Sequence, residues 1–355
     1  MKIRIDNTEV EFNKDETILD CARRVGVGIP TLCHLEGVER YSSCMVCMVR
    51  DRRTNGMVPS CSALAQDGMD IDASGEEVVR MRQEALTLLL SEHRAECEAP
   101  CRIVCPAGYN IPLMNRLFSA GKFDEVTNLI SSETGGDELK CTTCKAFCEN
   151  ACRRKKIDEP VSIRNMRIFL SMNKTGANDV KKYVPASAAA VRGRFSSRIG
   201  HLDEREQREW LKECPENVTR HREIADFKSA AEEAESCMHC DCRAAGDCRL
   251  RELVERFGLK DPGGKIANAP AEKKINRRAG LIFEQAKCIK CGICVRICND
   301  STTEPAPCFI NRGFLTVISE PMTGNFDDIS PSVAEECIAA CPTGALAHFE
   351  GNSKI

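Results

Sequence analysis

The sequence predicts an α+β protein of several domains, and three observations predict it. Strict apolar-polar alternation opens the chain, segments with helical apolar spacing follow, and 24 cysteines in 355 residues are gathered into compact groups. A chain of this length accommodates roughly two to four domains with ordinary cores. Its 50 basic and 53 acidic residues leave a net charge of −3, so no field favours nucleic acid or an anionic membrane. No apolar run approaches a membrane span, and MKIRIDNTEVEF lacks the apolar core of a signal peptide. A soluble cytoplasmic protein is expected, and a reducing cytosol keeps thiols free to bind metal instead of forming disulfides.

Residues 1–78 read as a small β-rich domain. KIRIDNTEVEF alternates and turns at Asp6-Asn7, and TILDCARRVGV then sets Ile18, Cys21, Ala22 and Val25 on one helical face. Residues 79–190 read as a helical domain. EEVVRMRQEALTLLLSEH is a helix of about five turns that delivers the chain to His93, and NIPLMNRLFSAGKFDEVTNLISS reads as a helix pair around Gly121. Residues 191–275 are polar and read as a connecting segment, with DEREQREWLKE and FKSAAEEAES helical and 261–274 of linker composition. In 276–355, LIFEQAKC and GFLTVIS are strand candidates flanking the last cysteines.

Nineteen of the cysteines fall at 33–61, 97–152, 237–248 and 288–298, with metal-ligand spacing. The first group, Cys33, Cys44, Cys47 and Cys61, reads C-x10-C-x2-C-x13-C. Four thiolates suit zinc or an iron-sulfur cluster, but a zinc ribbon carries two C-x2-C knuckles and only one is present here. The surrounding PTLCHLEGVERYSSCMVCMV resembles the amino-terminal domain of the large iron-sulfur subunit of complex I and of iron-only hydrogenases. That resemblance implies a β-grasp fold holding a 2Fe-2S cluster. Cys21 reads as a core thiol.

SEHRAECEAPCRIVCP sets His93, Cys97, Cys101 and Cys105 four residues apart. LTLLLSEHRAEC resembles the same family, whose next cluster has one histidine and three cysteine ligands; the match ends after Cys97. From there to about residue 168, CRIVCPAGYNIPLMNRLFSAGKFDEV and CKAFCENACRRKKIDEPVSIRN resemble the helical domain shared by the small subunit of NADPH-dependent glutamate synthase and dihydropyrimidine dehydrogenase, which carries two 4Fe-4S clusters. By the interleaving this implies, His93, Cys97, Cys101 and Cys152 hold one cluster, and Cys105, Cys141, Cys144 and Cys148 the other. The family places a non-cysteine ligand seven residues after the proline of its P-x-x-I segment. Here that position is Arg167, a permanent cation that cannot ligate, so Cys141 is the candidate replacement. Lys140, Lys145, Arg153, Arg154, Lys155 and Lys156 crowd this segment, either as solvated surface or as cations that favour a reduced cluster.

Cys237, Cys240, Cys242 and Cys248 read C-x2-C-x-C-x5-C, for which zinc and 4Fe-4S compete, with His239 and Cys214 beside them. Cys288, Cys291, Cys294 and Cys298 read C-x2-C-x2-C-x3-C and resemble a bacterial-type ferredoxin domain over 280–350. In that pattern the remote Cys341, followed by Pro342, completes the cubane of Cys288, Cys291 and Cys294. Pro331 and Ala334 stand where a second run would have its first cysteines, so a second cubane is not expected and Cys298, Cys308 and Cys337 are left over.

The expectation is one 2Fe-2S cluster and three to four 4Fe-4S clusters, with iron or zinc at 237–248. No dinucleotide fingerprint, Walker motif, H-E-x-x-H or G-x-S-x-G occurs. Substrate chemistry is therefore expected on partners: a flavoprotein subunit that oxidises NADH or NADPH, a terminal catalytic subunit, or a soluble ferredoxin. The chain itself reads as an electron-transfer subunit of a hydrogenase-like, formate-dehydrogenase-like or electron-bifurcating oxidoreductase. A standalone enzyme like the glutamate synthase small subunit and a zinc-stapled scaffold are the alternatives.

Overall fold

The computed structural model describes residues 1–134, 140–173, 195, 202–259, 271–301, 307–320, 326 and 328–349. The chain divides into two compact units: Met1–Arg94 with Asp247–Pro270 and Phe283–Ala347, and Ala95–Gly246 with Ala271–Ile282 and His348–Ile355.

The first unit opens with the expected hairpin. Strands β1 (Lys2–Ile5) and β2 (Thr8–Glu11) pair antiparallel, and Asp6 and Asn7 take positive φ of 44° and 71° in the two-residue turn. Strand β3 (Met48–Asp51) pairs antiparallel with β4 (Gly56–Pro59), and β5 (Asp70–Asp72) lies between β1, parallel, and β3, antiparallel. The resulting five-stranded sheet has the order β2-β1-β5-β3-β4. Helix α1 (Ile18–Arg24) starts at a Thr17/Asp20 capping box and lays Ile18, Leu19, Cys21 and Ala22 into a core with Ile3, Ile5 and Ile71. Cys21 is part of that core, as its helical face implied. Each fully buried aliphatic side chain there contributes about 1.5–3 kcal/mol.

Helix α2 (Glu76–Glu92) buries Val78, Arg82, Ala85, Leu86 and Leu90, and its cap residue His93 turns to extended backbone. Strand β7 (Leu281–Glu284) enters this unit at Phe283, and its Glu284 amide donates to the Ala345 carbonyl, at 2.7 Å, just before β10 (Leu346–His348). Strands β8 (Cys308–Ile310) and β9 (Val317–Ser319) form a second hairpin. The two strand candidates flanking the last cysteines are thus strands, although Gly313–Leu315 is a 3₁₀ turn.

In the second unit, α4 (Ile111–Ser119) and α5 (Phe123–Thr134) form the expected pair, turning where Gly121 has φ 69°. They pack with α7 (Ile163–Met172) around Met114, Phe118, Ile130, Met166 and Leu170. Helices α8 (Glu204–Leu211) and α9 (Phe227–Ala234) coincide with the two helical stretches read from sequence. Of the segment read as a connector, the described residues 202–246 are a structural part of this unit: Ala230 and Ala234 are fully buried in the same core, and the Phe227 ring sits 4.9 Å from Phe123 and 5.1 Å from Phe169. Alanines at that spacing let α9 approach α4 closely. Of the linker stretch, 261–270 lies outside the described residues, while Lys273 and Lys274 belong to strand β6 (Lys273–Asn276).

Candidate metal centres

The sulfurs of the first cysteine group are linked by pairwise contacts. Cys33, Cys44, Cys47 and Cys61 are each no more than 4% exposed. Cys47 and Cys61 sulfurs are 3.3 Å apart, and the Cys33 sulfur meets those of both Cys44 and Cys61. Ser42 and Met45 take positive φ around Cys44, a cost of about 1–3 kcal/mol each for non-glycine residues, and the loop turns the Val46 amide onto the Cys44 sulfur. Crowding makes these thiols unequal. Neighbouring S–H donors pull Cys33 far below the ordinary thiol value and Cys47 to about 7, while the same contacts and burial push Cys44 and Cys61 up. Four buried sulfurs cannot all be anionic without cations among them, which fits a 2Fe-2S cluster.

Two groups form in the second unit. Cys105, Cys141, Cys144 and Cys148 are neighbours: Cys141 feels Cys105 and Cys144, and Cys148 feels Cys105 and Cys141. Arg164 pins the segment by donating to the Cys141 carbonyl at 2.9 Å and the Thr142 carbonyl at 2.8 Å. Arg167, one turn later on α7, bears on Cys141 and holds its thiol down against burial.

The other group differs from the expected partition. Cys101 and Cys152 line one cavity with Cys237 and Cys240, and all four thiols are pushed up by burial, Cys240 to about 12. His93 belongs to the other unit, and Cys97 is not among the residues lining this cavity. The reason is the packing of α9 on α4, which delivers residues 237–240 to the end of the short helix α3 (Pro100–Ile103) and the turn after α6 (Phe147–Asn150). The 237–248 run is therefore not self-contained: Cys237, Cys240 and Cys242 belong to the second unit and Cys248 to the first. Asn115 bonds the Cys237 sulfur, and Arg153 bears on Cys240. Within the basic run, Arg153 and Arg154 are buried at this cavity, whereas Lys155 and Lys156 are exposed. Cys101 also feels Cys148, so the two groups are neighbours.

Four expected ligands stand outside these groups. The Cys97 carbonyl accepts from the Cys242 amide at 2.9 Å, with both thiols buried. Cys248 is buried near the Pro342 carbonyl, at 3.8 Å. His93 is 7% exposed, bonds the Lys287 backbone, and leaves its buried Nδ1 without a hydrogen-bond partner; burial lowers its pKa to about 4. A neutral imidazole anchored through one nitrogen to a backbone carbonyl, with the other open, is the arrangement of a ligating histidine. His239 is buried beside Glu213, and Cys214 bonds the Ser236 and Cys237 carbonyls.

In the first unit, Cys288, Cys291, Cys294 and Cys341 share an apolar cavity with Phe283, Ile293 and Leu346. Burial and one another's charge raise Cys288, Cys291 and Cys294, Cys288 to about 12. The Lys290 amide donates to the Cys288 sulfur at 3.3 Å, made possible by a φ of 54° at Lys290. Cys298 and Cys337, the leftover pair, have sulfurs 3.9 Å apart and are 1% exposed. Cys308 is half-buried on β8. Among the described residues, no three or more His, Cys, Asp or Glu side chains close to the geometry of a single metal ion. Multinuclear clusters space their ligands more widely than one ion does, and the donor sets above fit them by number and chemistry.

Arg296 was not singled out by the spacing of the cysteines. It is 2% exposed and donates to the Cys33 carbonyl at 2.6 Å, the Cys291 carbonyl at 3.4 Å, and the Glu39 carbonyl.

Residues 1–76 match a family described as a 2Fe-2S iron-sulfur cluster binding domain. The chain is 31% identical over 121 residues to the NADPH-Fe(3+) oxidoreductase subunit alpha of Geobacter sulfurreducens, covering 34% of this chain and 14% of that protein. It is 35% identical over 112 residues to the NADP-reducing hydrogenase subunit HndD of Solidesulfovibrio fructosivorans, covering 31% and 18%. It is also 25% identical over 162 residues to an NADH-quinone oxidoreductase subunit of Rickettsia felis, covering 42% and 23%. The matches thus span less than a quarter of each of these relatives. A crystal structure of an NAD+-reducing [NiFe]-hydrogenase shares the fold, with a TM-score of 0.51 at 15% identity over 100% of this chain and 90% of that one. No helix among the described residues is long and apolar enough to cross a membrane. The chain carries a 2Fe-2S domain over residues 1–76 and is similar over part of its length to subunits of NAD(P)-linked oxidoreductases and hydrogenases.

Proposed function

We propose that this chain is an iron-sulfur electron-transfer subunit, with one 2Fe-2S cluster at Cys33, Cys44, Cys47 and Cys61 and three to four 4Fe-4S clusters. The gathering of sixteen cysteines into four groups of four carries the reading. The four-cysteine groups at 101/152/237/240, 105/141/144/148 and 288/291/294/341 would hold three cubanes. His93, Cys97, Cys242 and Cys248 are further candidate ligands. Such clusters store and pass single electrons.

The protein's own residues prepare that chemistry. Apolar walls such as Phe283, Ile293 and Leu346 exclude water, the Val46 and Lys290 amides donate to ligand sulfurs, and buried Arg153 and Arg167 oppose the negative charge of the thiolates. The partners we propose are a flavoprotein subunit that oxidises NADH or NADPH and a terminal catalytic subunit or soluble ferredoxin, in a hydrogenase-like, formate-dehydrogenase-like or electron-bifurcating complex. Anaerobic purification of the full chain with its bound partners tests this. A flavoprotein should copurify, and NAD(P)H should reduce the chain only in its presence. Reduction of the isolated chain by NAD(P)H would overturn the division of labour.

A further inference from the structure

The first and last cysteine groups are far apart in sequence, yet their loops are bonded to each other within one unit. Ser43, next to Cys44, places its hydroxyl 3.3 Å from the Cys291 carbonyl. The Arg296 guanidinium spans the Cys33 and Cys291 carbonyls and also bonds Gly292, at 3.2 Å, and Glu39. Its charged face stacks on Tyr41, 4.7 Å from the ring centroid. Gly292 has a φ of 73°, where a side chain is strained, and a Cβ there would crowd Phe309 at 3.0 Å and Tyr41 at 3.2 Å. The helix Ile293–Ser301 thus carries both Cys294 and the cation that reaches the other group. The electrostatic proximity extends to the sulfurs, because Cys291 feels Cys33.

We infer that Arg296 is a positioning residue that couples the two groups: one buried cation holds the Cys33 and Cys291 loops together, so the charge state of each is sensed by the other. Both carbonyls it bonds belong to candidate ligands, and in a dry site a shared cation acts on both at short range. An arginine suits the task because its planar fork serves several carbonyls at once, which a lysine ammonium cannot reproduce in the same geometry. This inference rests on the proposed occupancy of these two groups by clusters.

The test is an anaerobic redox titration of the full chain, followed by EPR, for wild type, Arg296→Met and Arg296→Lys. With iron content unchanged, both midpoints should fall together in Arg296→Met. Each should move by about a tenfold change in the oxidised-to-reduced ratio at fixed potential, about 59 mV for one electron. Arg296→Lys should recover part of both shifts. Retained iron with neither midpoint moved, or with only one moved, overturns the coupling. If Arg296→Met does not fold, the wild-type signal decides: relaxation of the 2Fe-2S signal should quicken when the Cys288 group is reduced and not do so in Cys288→Ala. Equal relaxation in the two proteins overturns the inference. Failure of the underlying cluster reading is distinguishable, because the folded wild type would then lack iron altogether.

Discussion

Replacing Arg167 should move one potential in a direction set by its buried partner. Arg167 is 1% exposed, donates to Glu133 at 2.8 Å, and stacks 3.7 Å from the centre of the Tyr109 ring. Its Nε and Nη1 find no well-formed hydrogen-bond partner among the described residues, and the Cys141 sulfur is its near neighbour. A lone cation roughly 6 Å from a cluster, at an effective dielectric of about 20, stabilises one added electron by about 2.8 kcal/mol, or roughly 120 mV. The Glu133 carboxylate bonded to the guanidinium cancels part of this; with about half cancelled, roughly 60 mV is left.

Arg167→Met should therefore lower the midpoint of the Cys105/141/144/148 group by about 60–120 mV. Glu133→Gln should raise it by about 60 mV, and the double variant should lower it by about 60 mV. The double variant is the cleaner one, since a buried carboxylate stripped of its partner costs about 3–5 kcal/mol of stability. The assay is an anaerobic potentiometric titration read by low-temperature EPR, with iron measured on each sample. Shifts of the same sign in the two single variants, or unmoved midpoints at full iron content, would refute the reasoning.

Cys240→Ser should remove one cubane and about four iron atoms, whereas Cys242→Ser should leave that cubane's EPR signal in place. Cys298 and Cys337 stand outside the four groups of four, so the double change to alanine should retain the wild-type iron content by colorimetric assay. Glu213 is buried between Arg243, at 2.5 Å, and Lys273, and these cations hold its carboxyl well below the usual range. Glu213→Gln strands both and should destabilise the protein by about 3–5 kcal/mol in urea. Because the folded-state pKa is depressed, the carboxylate's contribution is complete above its unfolded value of about 4.3 and is lost as pH falls toward the folded one. The gap between wild type and variant should thus stay constant from about pH 6 to about pH 9.

Much of the first unit was legible because local signals agree with its tertiary structure. Alternation at Lys2–Glu11, the Thr17/Asp20 box and the apolar face of α1 are short-range features. The spacing at 33–61 and 288–294 is likewise local, since one or two loops supply most of each group. The neighbourhood of Cys105, Cys141, Cys144 and Cys148 could be suggested only through family resemblance, where Arg167 in the non-cysteine position turned attention to Cys141. The grouping of Cys101 with Cys237 was not readable, because it depends on α9 docking on α4 through Ala230 and Ala234. Nothing in the local pattern around Cys237 states that partner. The turn residues were hidden too: Met45, His239 and Lys290 sit between cysteines with φ of 57°, 43° and 54°, where a sequence reading looks for glycine. Arg296 escaped notice because an arginine bonded to carbonyls leaves no spacing signature.

The most direct test of the account is the metal content and Mössbauer spectrum of the full chain, purified and reconstituted without oxygen. Roughly 14 to 18 iron atoms per chain are expected, resolved as one 2Fe-2S cluster and three to four 4Fe-4S clusters. A folded, colourless protein that carries only zinc and stays EPR-silent after dithionite would contradict it.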